Sequence, residues 1–536
     1  MKKKLLLTLT AAFLFLMSTA SFGQAINLGT AANFVLFSSN GALSNTGISN
    51  LTGNVGTNSG SSTGFGNVNG VMHSTDGASA QCATDLLTAY NQLYSAVKTF
   101  DHAPLLGDGE TLVAGVYNIS GETTLDLGLT LDANGDANAV FIFKVGGTFS
   151  TNAGAKVHLI NGAMASNVYW VVEGKVSLAS NTKMSGTIIA NNAAIDLTTN
   201  DTIEGRALTT TGAITVSGVL AYTPVVAGAP LLTGPKAPNL GSTTCYALFS
   251  SNGPVTNSGV SSVMGDVGTN KGLISGFDAL KVTGAIHANA DGSTAQCAAD
   301  LLVMYDSLNT LPTDIELLYP AQFGQNLVLT PHTYLLNAAT ALTDSLYLNA
   351  MGNADAVFVI KISGALSTSP LAKVILINGT QSKNVYWKVD GQVDINDYSE
   401  FKGIIVANNG AISLRTGVIL DGRAYTTTGA FETAGITTTM PSVCTVTAIN
   451  TLSVQNAVSI APNPFGSSTT ITLGDASKIN NYELVMYNVM GKVVMNTTIT
   501  NQLTTLNTSN FHTGIYFYRV MENNKVVQSG KLISNQ

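Results

Sequence analysis

VYWVVEGKVSLASNTKMSG (Val168–Gly186) runs straight into TIIANNAAIDLTTNDTIEG (Thr187–Gly205), and each unit is 19 residues long. RALTTTGAITVSG, from Arg206, opens a further unit in the same register. Within a unit, short apolar runs are separated by Gly and Asn corners. A period near ~20 residues built this way predicts a β-solenoid, one coil per unit, with about three strands in each coil. Upstream coils fit from Val116 and Val140 if loop insertions are allowed.

The pattern occurs twice. VYWKVDGQVDINDYSEFKG (Val385–Gly403) and IIVANNGAISLRTGVILDG (Ile404–Gly422) repeat the 19-residue count. SSNGALSNTG (Ser38–Gly47) matches SSNGPVTNSG (Ser250–Gly259), and GNVGTN (Gly53–Asn58) matches GDVGTN (Gly265–Asn270). LINGAMASNVYW (Leu159–Trp170) matches LINGTQSKNVYW (Leu376–Trp387), and GRALTTTGA (Gly205–Ala213) matches GRAYTTTGA (Gly422–Ala430). Two homologous domains are expected, over 25–222 and 240–440, joined by a Pro- and Gly-rich linker over 223–239. After about residue 450 the sequence turns to alternating strands with turn signals, so 455–536 reads as a small β-sandwich. The fold class is therefore mainly β: two β-solenoids, each with a packed α-helix, and a C-terminal sandwich.

The strand columns differ in character. The first reads VFIFKV, VYWVV and TIIAN. It is apolar on both sides, so its outer face must also be covered. One helical pattern per copy supplies the cover. Thr84–Val97 sets Leu86, Leu87, Tyr90, Leu93, Tyr94 and Val97 on one stripe, and Ala299–Leu308 repeats it. Trp170 and Trp387 fall in this column and read as core anchors before they read as sugar-stacking platforms. The second column alternates. With Phe149, Val176, Leu178, Ile195 and Leu197 turned inward, a strip of small and hydroxyl side chains remains outside. Its candidate binding residues are Thr124, Thr148, Ser150, Ser177, Thr198, Thr215 and Ser217, with Lys175 and Asp196 as interruptions. In the second copy the strip is more charged, carrying Asp394, Arg415 and Glu432.

Composition narrows the function. Charged residues make up 10% of the 536, and the net charge is −7. Nucleic acid is not an expected partner, because phosphate binding needs a basic face. The N-terminus, MKKKLLLTLTAAFLFLMSTASFG, has the charged start, short apolar run and small residues of a secretory signal peptide, 1–23. No later segment is long and apolar enough to span a membrane, so the protein is expected outside the cell or on its surface. Export permits disulfides. Cys82 and Cys297 occupy matching places and read as buried small residues, the other reading being a bridge between the copies. Cys245 and Cys444 flank the second copy and are candidates for a staple. There is no HExxH, CxxC or Walker loop. His73 and His287 match between copies without metal-ligand company and read as structural. No cofactor, no metal and no enzymatic activity are expected.

LGTAANF (Leu28–Phe34), the GNVGTN and GDVGTN turns, AVFIFKV (Ala139–Val145), AVFVIKI (Ala356–Ile362) and the GRAxTTTGA repeats together resemble the microbial ice-binding protein family. The resemblance spans both copies. It implies a right-handed, discontinuous solenoid, triangular in section, with a helix along one side. It further implies that the N-terminal coil lies beside the C-terminal coil, which would bring Cys245 near Cys444. The implied partner is the ice crystal surface, met through the Thr- and Ser-rich strip. APNPF (Ala461–Phe465), NVMGK (Asn488–Lys492), GIYFYRV (Gly514–Val520) and the final GKLI resemble the C-terminal sorting domain of the type IX secretion system, whose machinery is a second implied partner. The alternative reading is a cell-surface adhesin or structural protein that uses the solenoids as a scaffold.

Overall fold

The computed structural model describes residues 26–226, 228–288, 290–440, 458–474, 476–479, 481–522 and 525–536. The expected signal peptide, 1–23, and Cys444 lie outside the described residues. The chain divides into two compact units, Met1–Cys444 and Thr445–Gln536.

The first unit holds both solenoids, and every strand pair in it is parallel. In the first solenoid an eight-stranded sheet forms one face. It stacks Leu105–Gly107, Thr123–Asp126, Phe149–Thr151, Val176–Ser177, Ile195–Leu197, Ile214–Ser217, Leu43–Thr46 and Ser62–Thr63 in that spatial order. The other two faces share a 14-stranded sheet, because the long strands Lys183–Ala190 and Thr202–Thr209 turn the corner between them. The stacking is discontinuous. Leu36 pairs with Ala207 and Leu43 with Ile214, so the N-terminal coil is laid on the C-terminal one. The second solenoid repeats this plan, with Leu248 on Ala424 and Val255 on Phe431.

Aromatic and branched side chains fill each interior. Trp170 is fully buried, stacks on Phe143 at 4.1 Å and donates from Nε1 to the Ser185 carbonyl at 3.0 Å. Trp387 is equally buried. Both are core anchors, as their column predicts. Asn191 and Asn192 sit at a corner: Asn191 donates to Glu173 and to the Tyr90 hydroxyl, and Asn192 takes a φ of 51°.

The helices differ from their sequence reading in extent and facing. Helix α1 is Gly77–Tyr94 and helix α2 is Gly292–Thr310. The buried stripe of α1 is Ser79, Cys82, Leu86, Ala89, Tyr90 and Leu93. Leu87, Tyr94 and Val97 are exposed, and Val97 lies beyond the helix. The start is set by a reciprocal cap, in which Asp76 accepts from Ser79 N and Ser79 Oγ accepts from Asp76 N, both at 2.8 Å. His73 holds the Asp76 carboxylate at 2.8 Å, and His287 does the same for Asp291 at 2.9 Å. The matched histidines therefore organise helix starts. α1 covers the first column through Phe37, Ile142, Tyr169, Val171, Ile189 and Leu208. Cys82 and Cys297 are buried and free, while Cys245 is disulfide-bonded.

The two solenoids meet end to end. Asn67 donates to the Tyr319 carbonyl at 2.8 Å and accepts from Tyr319 N at 2.9 Å. Buried Asn69 donates to Thr330 Oγ1 at 3.1 Å and accepts from the Tyr334 hydroxyl at 2.7 Å. The connecting segment is itself tied down: Thr233 O accepts from Val357 N at 2.9 Å and Leu232 O from Asn353 at 3.0 Å.

The second unit is a sandwich of a three-stranded and a four-stranded antiparallel sheet. Its core includes Phe465, Leu484, Met486 and Val520.

Candidate binding face

The eight-stranded face of the first solenoid is built by alternation. Its inward residues, among them Phe149, Val176, Ile195, Ile214 and Leu43, are fully buried. That leaves alternate residues turned outward, and one from each strand falls in a central row. The pairing register carries this central row through Leu105, Thr124, Ser150, Ser177, Asp196, Thr215, Ser44 and Thr63. Neighbouring positions are ~4.8 Å apart, the spacing of paired strands. Thr148 stands in a flanking row beside Lys175, and this row continues through Ala194 and Ala213 to Ala42. Ser217, opposite Thr46, stands in the other flanking row, with Thr198 one coil away.

All seven candidates thus share one face, four of them in the central row. Sequence reasoning missed Ser44, Thr46 and Thr63. These come from the N-terminal coils, far away in the chain, and the alternation in LSNT, residues 43–46, was the only local signal for Ser44 and Thr46.

The two interruptions neutralise each other. Lys175 Nζ and Asp196 Oδ2 form an ion pair, and Asp196 also accepts from Thr215 Oγ1. Burial pushes the Asp196 carboxyl up, but contact with Lys175 and Thr215 outweighs it and holds the group below the usual carboxylate range. Other hydroxyls are engaged locally. Thr124 and Ser150 are 3.1 Å apart at their oxygens, and Thr198 donates to the Leu178 carbonyl at 2.9 Å. Such bonds fix side-chain rotamers, so the strip is held still.

The remaining faces are less suited to a flat, neutral partner. α1 covers one. On the other, exposed Lys156 pairs directly with exposed Lys183, next to exposed His158. In the second solenoid the corresponding central row is Ala341, Ser367, Asp394, Ser413, Glu432, Thr256 and Ser275. Arg415 grips Asp394 with two bonds, at 2.8 and 3.1 Å, and Glu432 is exposed. Among the described residues no group of three or more His, Cys, Asp or Glu is placed to hold a metal ion.

Comparison with known proteins agrees with this geometry. Residues 37–219 and 249–439 match the family described as ice-binding-like, and 459–535 match the secretion system C-terminal sorting domain. An ice-binding protein of Nostoc sp. (strain HG1) is 36% identical over 219 residues, 40% of this chain and 80% of that protein. One from Colwellia sp. is 30% identical over 215 residues, 37% of this chain and 82% of the relative. The crystal structure of an ice binding protein from an Antarctic bacterium, Flavobacteriaceae, is 58% identical, with a TM-score of 0.76 over 78% of this chain and 99% of that one.

Proposed function

The chain belongs to the ice-binding-like family, and from that premise we propose that it adsorbs to ice through the eight-stranded face of its first solenoid. The observation that carries this reading is the central row, in which hydroxyl side chains recur strand after strand and the one charged member is paired. Ice presents water oxygens in fixed rows. Side chains repeating every ~4.8 Å can meet such rows many times at once. A Thr methyl favours an ordered water cage and its hydroxyl anchors that cage, whereas an unpaired charge would bind liquid water more strongly. Because the strip is already ordered, adsorption costs little further side-chain entropy.

The C-terminal sandwich accounts for export. It directs the protein through the type IX secretion machinery, to be released or retained at the cell surface. We further propose that Cys245 bonds Cys444 and closes the second solenoid; peptide mapping without reduction would reveal that pair.

The experiment is inhibition of ice recrystallisation, with thermal hysteresis alongside. The full chain should act at or below tens of micromolar. Thr215→Tyr should weaken inhibition about tenfold or more with unchanged circular dichroism. No inhibition by the parent protein would reject the function. Unchanged inhibition in this variant would place the face elsewhere.

A further inference from the structure

The joint between the solenoids sets their eight-stranded faces on the same side. A shallow cleft at the joint is lined by Gly47, Gly64 and Gly66 from the first solenoid and by Gln322, Gly324 and Gln325 from the second. Gly64 follows the last strand of the first face, and Gly324 ends the first strand of the second. Matching corners therefore meet, and both solenoids climb in the same direction, since the last coil of one abuts the first coil of the other. Gln322, on the second face, rests its Oε1 against the Gly66 position.

We propose that the ice-contacting plane is composite and centred on this joint rather than on either solenoid alone. The inference rests on the ice-binding reading above. Six successive strands straddle the joint: Ile214–Ser217, Leu43–Thr46, Ser62–Thr63, Phe323–Gly324, Thr340–Thr343 and Leu366–Thr368. None contains a charged residue. The run is bounded by Asp196 on one side and Asp394 on the other. Within each half the three strands keep the ~4.8 Å spacing of paired strands, and the two sheets abut at the joint without strand pairing. The rest of each face is interrupted, by Asp126 and Lys175 in the first solenoid and by Glu432 and Arg415 in the second. The hydrogen-bonded joint and the tied connecting segment hold the halves together before any ice is met. The second half then binds without the entropy loss of a tethered, freely moving module.

The test uses the full chain with one outward residue enlarged on each side of the joint, Ser44→Tyr and Ser367→Tyr, and a distal control, Thr256→Tyr. Melting temperatures certify folding. The proposal expects both joint-flanking variants to raise the concentration needed for recrystallisation inhibition by about tenfold, with Thr256→Tyr near the parent value. If Ser44→Tyr is impaired and Ser367→Tyr is not, the plane ends with the first solenoid; the composite plane is then wrong and the ice-binding reading stands. If no variant changes an active parent, the composite plane is overturned and the contact lies on another face. An inactive parent rejects the ice-binding reading itself, a result separate from either of these.

Discussion

Single residues set the chemistry of the face and part of its pH response. Asp201 is fully buried at a corner of the first solenoid, where it accepts from Thr182 N at 3.0 Å and Thr198 N at 2.7 Å. Burial pushes its carboxyl up to about 6, against the lowering effect of those bonds. An acid raised on folding favours the fold fully below its unfolded value, ~3.9, and loses that contribution as pH climbs through the folded value. This group should therefore make the first solenoid less stable at pH 7 than at pH 4, by on the order of 2 kcal/mol. Asp201→Asn should flatten the urea midpoint between pH 4 and 7 relative to the parent. It should leave stability at pH 7 within about 1 kcal/mol, since one lost backbone partner offsets the relieved burial. An unchanged slope in the variant would show that Asp201 is not the titrating group.

At the scale of elements, the coil and its helix are the units that stack. A Cβ on Gly205 would lie 1.8 Å from the Gly186 carbonyl oxygen, so adjacent coils can approach only through glycine there. Gly205→Ala should destabilise by roughly 3 kcal/mol or more, seen as a lower melting temperature. Gly77→Ala, in the open first turn of α1, should not lower it. The coil was legible in advance because its 19-residue period and its alternation both survive in the sequence. Phe149, Val176 and Ile195 could be assigned inward and Ser150 and Ser177 outward on that basis alone. The helix was less legible. Its N-terminal stretch, Gly77–Cys82, is made mostly of small residues with little apolar pattern, and its start depends on a cap formed by Asp76 and Ser79. Leu87, Tyr94 and Val97 imitate a stripe that the structure turns to solvent. The contribution of Ser44 and Thr63 was hidden for a different reason. Local period cannot report that Leu43 pairs with Ile214, and only family resemblance implied that closure.

At the scale of the whole molecule, the solenoid unit behaves as one body because Asn67, Asn69 and Tyr334 join its halves. Nothing in sequence pattern marks these residues; a buried amide and a tyrosine acquire meaning only when two coil ends meet. Tyr334→Phe combined with Asn69→Ala removes the buried bonds across the joint. Small-angle scattering should then show a broader range of lengths, and recrystallisation inhibition should weaken several-fold with the face itself intact. An unchanged scattering profile would mean that the joint has other, sufficient contacts. The central claim is that the chain meets ice through its hydroxyl-bearing face. Its most direct test is partition of the full chain into slowly growing ice, compared with Thr215→Tyr. The account predicts enrichment of the parent protein in the ice and retention of Thr215→Tyr in the liquid. Equal exclusion of both from the ice would contradict it.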